Sequence, residues 1–288
     1  MPNGGASGID GGVVGDDGSL EADHALMFRA ATGAAALAMH HFARGDVAAW
    51  DKSPGNPVTT ADLAVDAQLK AELLGARPDY GWLSEETVDD AARLACRRVW
   101  VVDPIDGTRD FIRGRTGWAV SVALVEAHRV VMGVLAAPAR AQVIVAVRAR
   151  GANLNGVPLR VSGRTEMAGC ALPVDPSSLA ASFWPERWNA VAVEKPNSLA
   201  LRIAHVASGL ADGFIEGRTI AEWDIAAAAL ILTEAGGTIT DRDGALLAFN
   251  QPSPSVHGVV AATPALHDDL RRRLNSGLRA LTVRRHPS

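Results

Sequence analysis

Only two cysteines occur in 288 residues, Cys96 and Cys170, far apart and without a partner motif. Their scarcity excludes a disulfide framework and a cysteine-held zinc cluster, and it fits a reducing, cytoplasmic setting. A secretion signal is lacking too: residues 1–19 are rich in glycine and aspartate, with no basic stretch and no apolar core, and read as a disordered leader. The longest apolar run, residues 225–233, is too short to span a bilayer. Excess positive charge is missing: the net charge of -4 argues against a nucleic-acid backbone as the main ligand. Small phosphorylated ligands remain open, because bound cations can reverse the sign of a site locally. Internal repeats and low-complexity linkers are absent, so any domain boundary is tight. What is present is 48% apolar and 21% charged residues, the balance of a globular protein large enough for a sizeable core.

The first half starts helical. Residues 20–43 are alanine-rich and free of proline, which predicts a helix stopped by Gly45. After a loop with Pro54, Gly55 and Pro57, Thr59 or Thr60 caps a second helix carrying Leu63, Val65, Leu69 and Leu73. Residues 99–102 form a continuous apolar run, expected as a buried strand ending at Asp103-Pro104. Residues 118–125 and 130–135 read as a hairpin, with further strands at 142–147 and 159–161. Beyond residue 172, strands near Val191, Phe214, 238–240 and 259–261 alternate with helices at 198–208, about 225–235 and 266–274. The fold class expected is mixed α/β, with subdomains at residues 20–170 and 171–276 and a tail at 277–288.

Asp103 and Asp106 sit three residues apart where the buried strand gives way to a turn, followed by Gly107 and Thr108. Carboxylates converging at a strand end are costly unless a positive charge neutralises them. Hard oxygen donors suit Mg²⁺. Gly107 lets the backbone approach a ligand closely. An acidic turn with glycine is also often only a turn. An EF-hand loop fails on spacing, and an aspartyl-nucleophile turn fails because Pro104 stands where its first acid is required. Other acids stand at comparable places. Glu85-Glu86 follow the strand-like run 80–83, and Asp224 precedes an alanine-rich helix it could simply cap. Asp62 lies one turn into the second helix, where solvent exposure is the plain reading. The eight histidines, His40-His41 included, lie away from these segments and read as surface or helix residues.

Taken in order, Leu83-Ser84-Glu85-Glu86-Thr87, Asp103-Pro104-Ile105-Asp106-Gly107-Thr108-Arg109-Asp110-Phe111, and Trp223-Asp224-Ile225-Ala226-Ala227 through Glu234-Ala235-Gly236-Gly237 closely resemble the inositol monophosphatase superfamily of Mg²⁺-dependent, lithium-sensitive phosphatases. Val58-Thr59-Thr60-Ala61-Asp62 resembles the motif that precedes them there. The resemblance runs from about residue 20 to 275. It implies a sugar-phosphatase fold, a layered α-β-α-β-α sandwich with the site between two subdomains. It further implies two or three Mg²⁺ ions: Glu85, Asp103 and the carbonyl of Ile105 around one, and Asp103, Asp106 and Asp224 around a second. A weaker third would use Glu85 and sometimes Asp62, with Glu86 as a supporting acid. Thr108 and Asp62 correspond to the pair that orients an attacking water, and the amides of Gly107 and Thr108 to the phosphate cradle. The reaction implied is phosphomonoester hydrolysis by metal-activated water, without a covalent phosphoenzyme. Trp223 is expected to pack beside the site.

The resemblance places substrate choice in the segment Lys195-Pro196-Asn197-Ser198 and in residues 216–222. Glu216 is the nearest match to a family acid that contacts sugar hydroxyls, in a loop one residue longer here. An inositol phosphate is the first expectation. A 3'(2'),5'-bisphosphate nucleotide comes second, with Lys195 and Arg202 meeting its other phosphate, and histidinol phosphate third. A non-enzymatic alternative, binding to the transcription machinery, has only the basic stretches Arg271-Arg272-Arg273 and Arg284-Arg285 in its favour. The partner expected is therefore a small phosphorylated metabolite, not nucleic acid or membrane, with a homodimer inherited from the family.

Overall fold

The structure, a computed structural model, describes residues 17–45, 47–182 and 184–285. The chain opens with helix α1 (Asp17–Arg44), a hairpin of β1 (Ala49–Ser53) and β2 (Asn56–Thr59), and helix α2 (Thr60–Ala76). Thr59 begins α2 with a reciprocal cap: its hydroxyl accepts from the amides of Ala61 and Asp62, and Asp62 Oδ2 accepts from Thr59 N at 2.8 Å. There follow β3 (Gly81–Ser84), β4 (Arg98–Asp106), the short helix α3 (Thr108–Ile112), β5 (Ala119–Glu126), β6 (Arg129–Ala137), β7 (Gln142–Val147), β8 (Ala152–Leu154) and β9 (Val157–Pro158). Strands β3 to β9 pair in sequence order into one sheet, antiparallel except for the parallel β3–β4 pair. That order needs only short connections, apart from the crossover between β3 and β4.

The second half adds β10 (Cys170–Leu172), α4 (Pro176–Leu179), β11 (Ala190–Ala192), α5 (Leu199–Ala207), β12 (Gly213–Ala221), α6 (Ala226–Glu234), β13 (Thr238–Thr240), β14 (Ser255–Ala262) and α7 (His267–Arg285). Strands β12, β14 and β13 form a three-stranded antiparallel sheet in that order.

Strand periodicity sorts the core into layers. Along β4, Trp100 and Val102 face a cluster with Ala34, Ala38, Val65 and Leu69 of α1 and α2. Val99 and Val101 point the other way, into a cluster with Ile203, Ala227 and Ile231 of α5 and α6. A strand covered on both faces is apolar throughout, which is why 99–102 shows no alternation in sequence. The α5–α6 layer also packs on the small sheet through Phe214 and Val259. Leu266, Leu270 and Leu274 cover that sheet's far side, against Val260 and Ala262. The result is the α-β-α-β-α sandwich. Alanine permits its tight middle layer: a Cβ on Gly133 of β6 would stand 2.8 Å from the Ala227 carbonyl of α6.

Several boundaries differ from expectation. Strand β4 does not end at Asp103-Pro104. It continues to Asp106 through an irregularity in its pairing with β5, so both aspartates stay at the sheet edge. No strand forms at 159–161, where the last pairing is at Val157–Pro158. The final helix runs to Arg285 and takes in most of the expected tail. Of the expected leader, residues 1–16 lie outside the described residues, and α1 already begins at Asp17. His205 and His267 lie within helices, in keeping with the reading of the histidines as surface or helix residues, and both are buried. Among the described residues, no helix is long and apolar enough to cross a membrane, and Cys96 and Cys170 are free thiols.

Candidate metal centre

Two chain segments converge where the large sheet ends. Asp103 and Asp106 come from the end of β4, and Asp224 from the turn between β12 and α6. Each offers a carboxylate oxygen, and these oxygens all lie within 4.8 Å of one another. They face a cleft of about 650 Å³ that Glu85, Ile105, Gly107, Thr108, Lys195 and Glu216 also line.

Burial makes this cluster electrostatically expensive. Burial, then the charges of Glu85, Asp106 and Asp224, push Asp103 well above the ordinary carboxylate range. Burial and the neighbouring Asp106 and Glu85 raise Asp224 to about 8. Asp106 is raised by burial only to about 6, because Ser198 Oγ (2.5 Å), Ala200 N (2.8 Å) and Leu199 N (3.2 Å) all donate to it. Three such groups cannot all be ionised without a compensating cation. The nearby guanidinium of Arg202 is directed elsewhere, with Nε on the Pro196 carbonyl (2.7 Å) and Nη2 on the Asn197 carbonyl (3.0 Å). An all-oxygen donor set of this charge fits a hard divalent ion.

Asp224 does not cap its helix. The cap position of α6 is Ile225, without a side-chain bond, while Asp224 Oδ2 accepts from Ala221 N at 3.0 Å. Asp62 is buried, not solvated. Burial raises it to about 6 against the pull of its Thr59 bonds, and Thr108 Oγ1 stands 3.3 Å from its Oδ1 and 3.1 Å from the Ile105 carbonyl. Gly107 precedes α3 at φ 101°, and a Cβ there would lie 2.6 Å from the Gly117 carbonyl. No other residue fits both demands.

Glu85 lines the cleft, but its Oε1 accepts from Lys52 Nζ at 2.9 Å, and Glu86 Oε1 accepts from the same ammonium at 2.6 Å. Burial, opposed by Lys52, holds Glu86 up at about 7. Lys52 comes from β1 and was not singled out in the sequence, although a lysine beside the Pro54-Gly55 turn just ahead of the Thr59 cap was a visible signal.

The expected substrate contacts divide. Ser198 is fully buried as the cap of α5, bonded to Asp106 and to Leu201 N, so it is not a substrate contact. Arg202 is likewise buried and bonded to loop carbonyls, so it is not a free cation for a second phosphate. Lys195 lies at the cleft, paired with Asp175. Glu216 lies there too, held by Arg218 through Nε (3.1 Å) and Nη2 (2.8 Å). Arg218 was missed because nothing in sequence distinguishes it from a surface arginine. Trp223 packs against the core beside the site, as expected. The basic stretch of α7 is largely paired in place: Arg271 with Asp268, Arg272 with Asp269, and Arg273 on the carbonyls of Glu186 and Arg187.

A five-layer α/β sandwich with a carboxylate cluster at the sheet edge, open to a polar cleft, defines a metal-dependent hydrolase class of site. The profile of the inositol monophosphatase family matches residues 20–279, and the chain belongs to that family and is a phosphatase. It is 39% identical over 201 residues to the inositol-1-monophosphatase of Mesorhizobium japonicum, covering 67% of this chain and 75% of that one. It is 35% identical over 233 residues to the histidinol-phosphatase of Mycobacterium tuberculosis, covering 77% and 85%. The crystal structure of the extragenic suppressor protein suhB from Bartonella henselae superposes with a TM-score of 0.75 at 28% identity, over 88% of this chain and 98% of that one.

Proposed function

We propose that the chain is a Mg²⁺-dependent phosphomonoesterase that hydrolyses small phosphorylated alcohols, inositol monophosphate among them, with water as the attacking group. The observation that carries this reading is the convergence of Asp103, Asp106 and Asp224 beside the Thr108–Asp62 pair in one polar cleft. In this reading Glu85, Asp103 and the Ile105 carbonyl hold one ion, and Asp103, Asp106 and Asp224 a second. Bound Mg²⁺ supplies positive charge against the phosphoryl oxygens and the departing alkoxide. Thr108 Oγ1 donates to Asp62 Oδ1 or the Ile105 carbonyl, which leaves its lone pairs to accept from a water and aim that water at phosphorus. The amides of Gly107 and Thr108 stand at the start of α3, where a helix has donors without intrahelical partners, and they cradle the phosphate. Lys195 and Glu216 contribute at the alcohol side of the cleft.

The reading is tested by phosphate release from inositol 1-phosphate, histidinol phosphate and 3'-phosphoadenosine 5'-phosphate, with Mg²⁺ and with EDTA. Turnover that requires Mg²⁺ and is lost in Asp106→Asn, together with lost Mg²⁺ binding by calorimetry, supports it. Turnover that survives EDTA, or persists in Asp106→Asn, refutes the metal assignment.

A further inference from the structure

A second cavity of about 560 Å³ adjoins the catalytic cleft. The two share Lys195, Arg202, Glu216 and Arg218, so the Glu216–Arg218 ion pair and Lys195 form the partition between them. Its walls differ from those of the cleft. Leu172 and Phe214 come from the strands, Leu274 and Leu278 from α7, and Trp184 and Trp188 from the segment before β11. The two indoles meet edge to face with centroids 5.1 Å apart, and a Cβ on Gly277 of α7 would strike the Trp184 ring at 2.3 Å, so the ring lies on the helix backbone. Trp188 is also fixed from outside by the Arg273 guanidinium, 4.2 Å from its ring centroid. An aromatic lining locked on both sides is a preformed surface, the usual condition for a small-molecule site.

The chemistry of the lining selects an occupant. Against the indole and leucine walls, away from the charged groups at the partition, a polyol would leave its hydroxyls on carbon at the cost of unmade hydrogen bonds. A flat apolar ring meets indole edges and leucine methyls instead. Charge narrows the class further: four cations, Lys195, Arg202, Arg218 and Arg242, line this cavity against two carboxylates, Asp175 and Glu216, which disfavours a cationic head group.

On this basis, and resting on the phosphomonoesterase reading above, we propose that the Trp184–Trp188 chamber is a specificity subsite that receives an uncharged aromatic ring on the alcohol portion of the substrate. The phosphate stays at the carboxylate cluster, a short linker passes the Glu216–Arg218 pair, and the ring enters the chamber.

The test compares kcat/KM of the full chain with Mg²⁺ on 2-phenylethyl phosphate, glycerol 2-phosphate and inositol 1-phosphate. The same ratios are measured in Val174→Trp, which fills the chamber from a half-buried loop position, and in Trp188→Ala. Burying one ring predicts a preference for phenylethyl phosphate over glycerol 2-phosphate of about tenfold or more. Both variants lower that ratio at least fivefold. Because a ratio is independent of the fraction of correctly folded enzyme, loss of protein cannot imitate the effect. Hydrolysis of glycerol 2-phosphate without an aromatic preference, or a ratio unchanged in both variants, overturns the subsite while leaving the phosphatase reading intact. Absence of Mg²⁺-dependent hydrolysis of all three esters overturns both.

Discussion

Ser198 Oγ donates to Asp106 Oδ2 at 2.5 Å while the same hydroxyl accepts from Leu201 N at 2.9 Å. One side chain therefore starts helix α5 and fixes a carboxylate of the candidate metal centre 92 residues away in sequence. The layer between the sheets and the site at their edge are built from the same bonds. Replacing Ser198 by alanine removes the cap and a donor to a buried acid, and should cost about 1–2 kcal/mol of stability. A lower urea midpoint and a weakened Mg²⁺ isotherm are expected together. An unchanged midpoint would contradict the coupling.

Thr108 reaches both Asp62 Oδ1 and the Ile105 carbonyl, a position suited to orienting water more than to binding the ester. Thr108→Val should lower kcat on the order of a hundredfold with KM changed only a few-fold, and Thr108→Ser should restore most of the loss. A large rise in KM with kcat retained would assign Thr108 to ground-state binding instead.

The raised carboxylates tie stability to pH. Burial first, then Asp106 and Glu85, hold Asp224 at about 8 against an ordinary aspartate value of 3.8. The unfolded chain loses that proton near pH 4 while the folded chain keeps it. Between those values the folded state binds more protons, so metal-free stability falls as pH rises from about 4 to 8 and then levels off. Mg²⁺ binds the ionised form and should reverse most of the decline at the alkaline end. Melting temperatures of EDTA-treated protein across pH 5–8.5 should show the fall, with a shallower slope in Asp224→Asn. Parallel slopes for the two proteins would dismiss Asp224 as the cause.

Lys52 occupies Glu85 and Glu86 with a single ammonium. On the proposed reading, a divalent ion at Glu85 would have to compete with it. Lys52→Met should tighten Mg²⁺ binding about two- to fivefold in a calorimetric titration, the scale of a partly exposed ion pair. Weaker binding in that variant would show that the lysine positions Glu85 for the ion instead of opposing it.

Much of this was legible in the chain. Helix α1, the β5–β6 hairpin and strands β7 and β13 follow from composition, turn chemistry and apolar runs, because local preferences and core packing agree there. The hairpin of β1 and β2 was not legible: its first strand is exposed along its whole length and carries no apolar pattern. Strand β4 was cut short because Pro104 is a breaker in general, whereas here the irregular pairing tolerates it at the sheet edge.

The motifs that carry Glu85, Asp103, Asp106 and Asp224, taken in their order along the chain, were enough to show the resemblance to one family's pattern, although each acid alone could have been a turn or a cap. What the tertiary structure alone decided is how those acids are held. Ser198 turns inward to Asp106, Lys52 reaches Glu85 from a distant hairpin, and Arg202 faces carbonyls. Each depends on packing between segments dozens of residues apart, and hydrogen-bond partners at that range leave no mark on local sequence. The same holds for the chamber of Trp184 and Trp188, whose walls exist only where α7 closes over the small sheet.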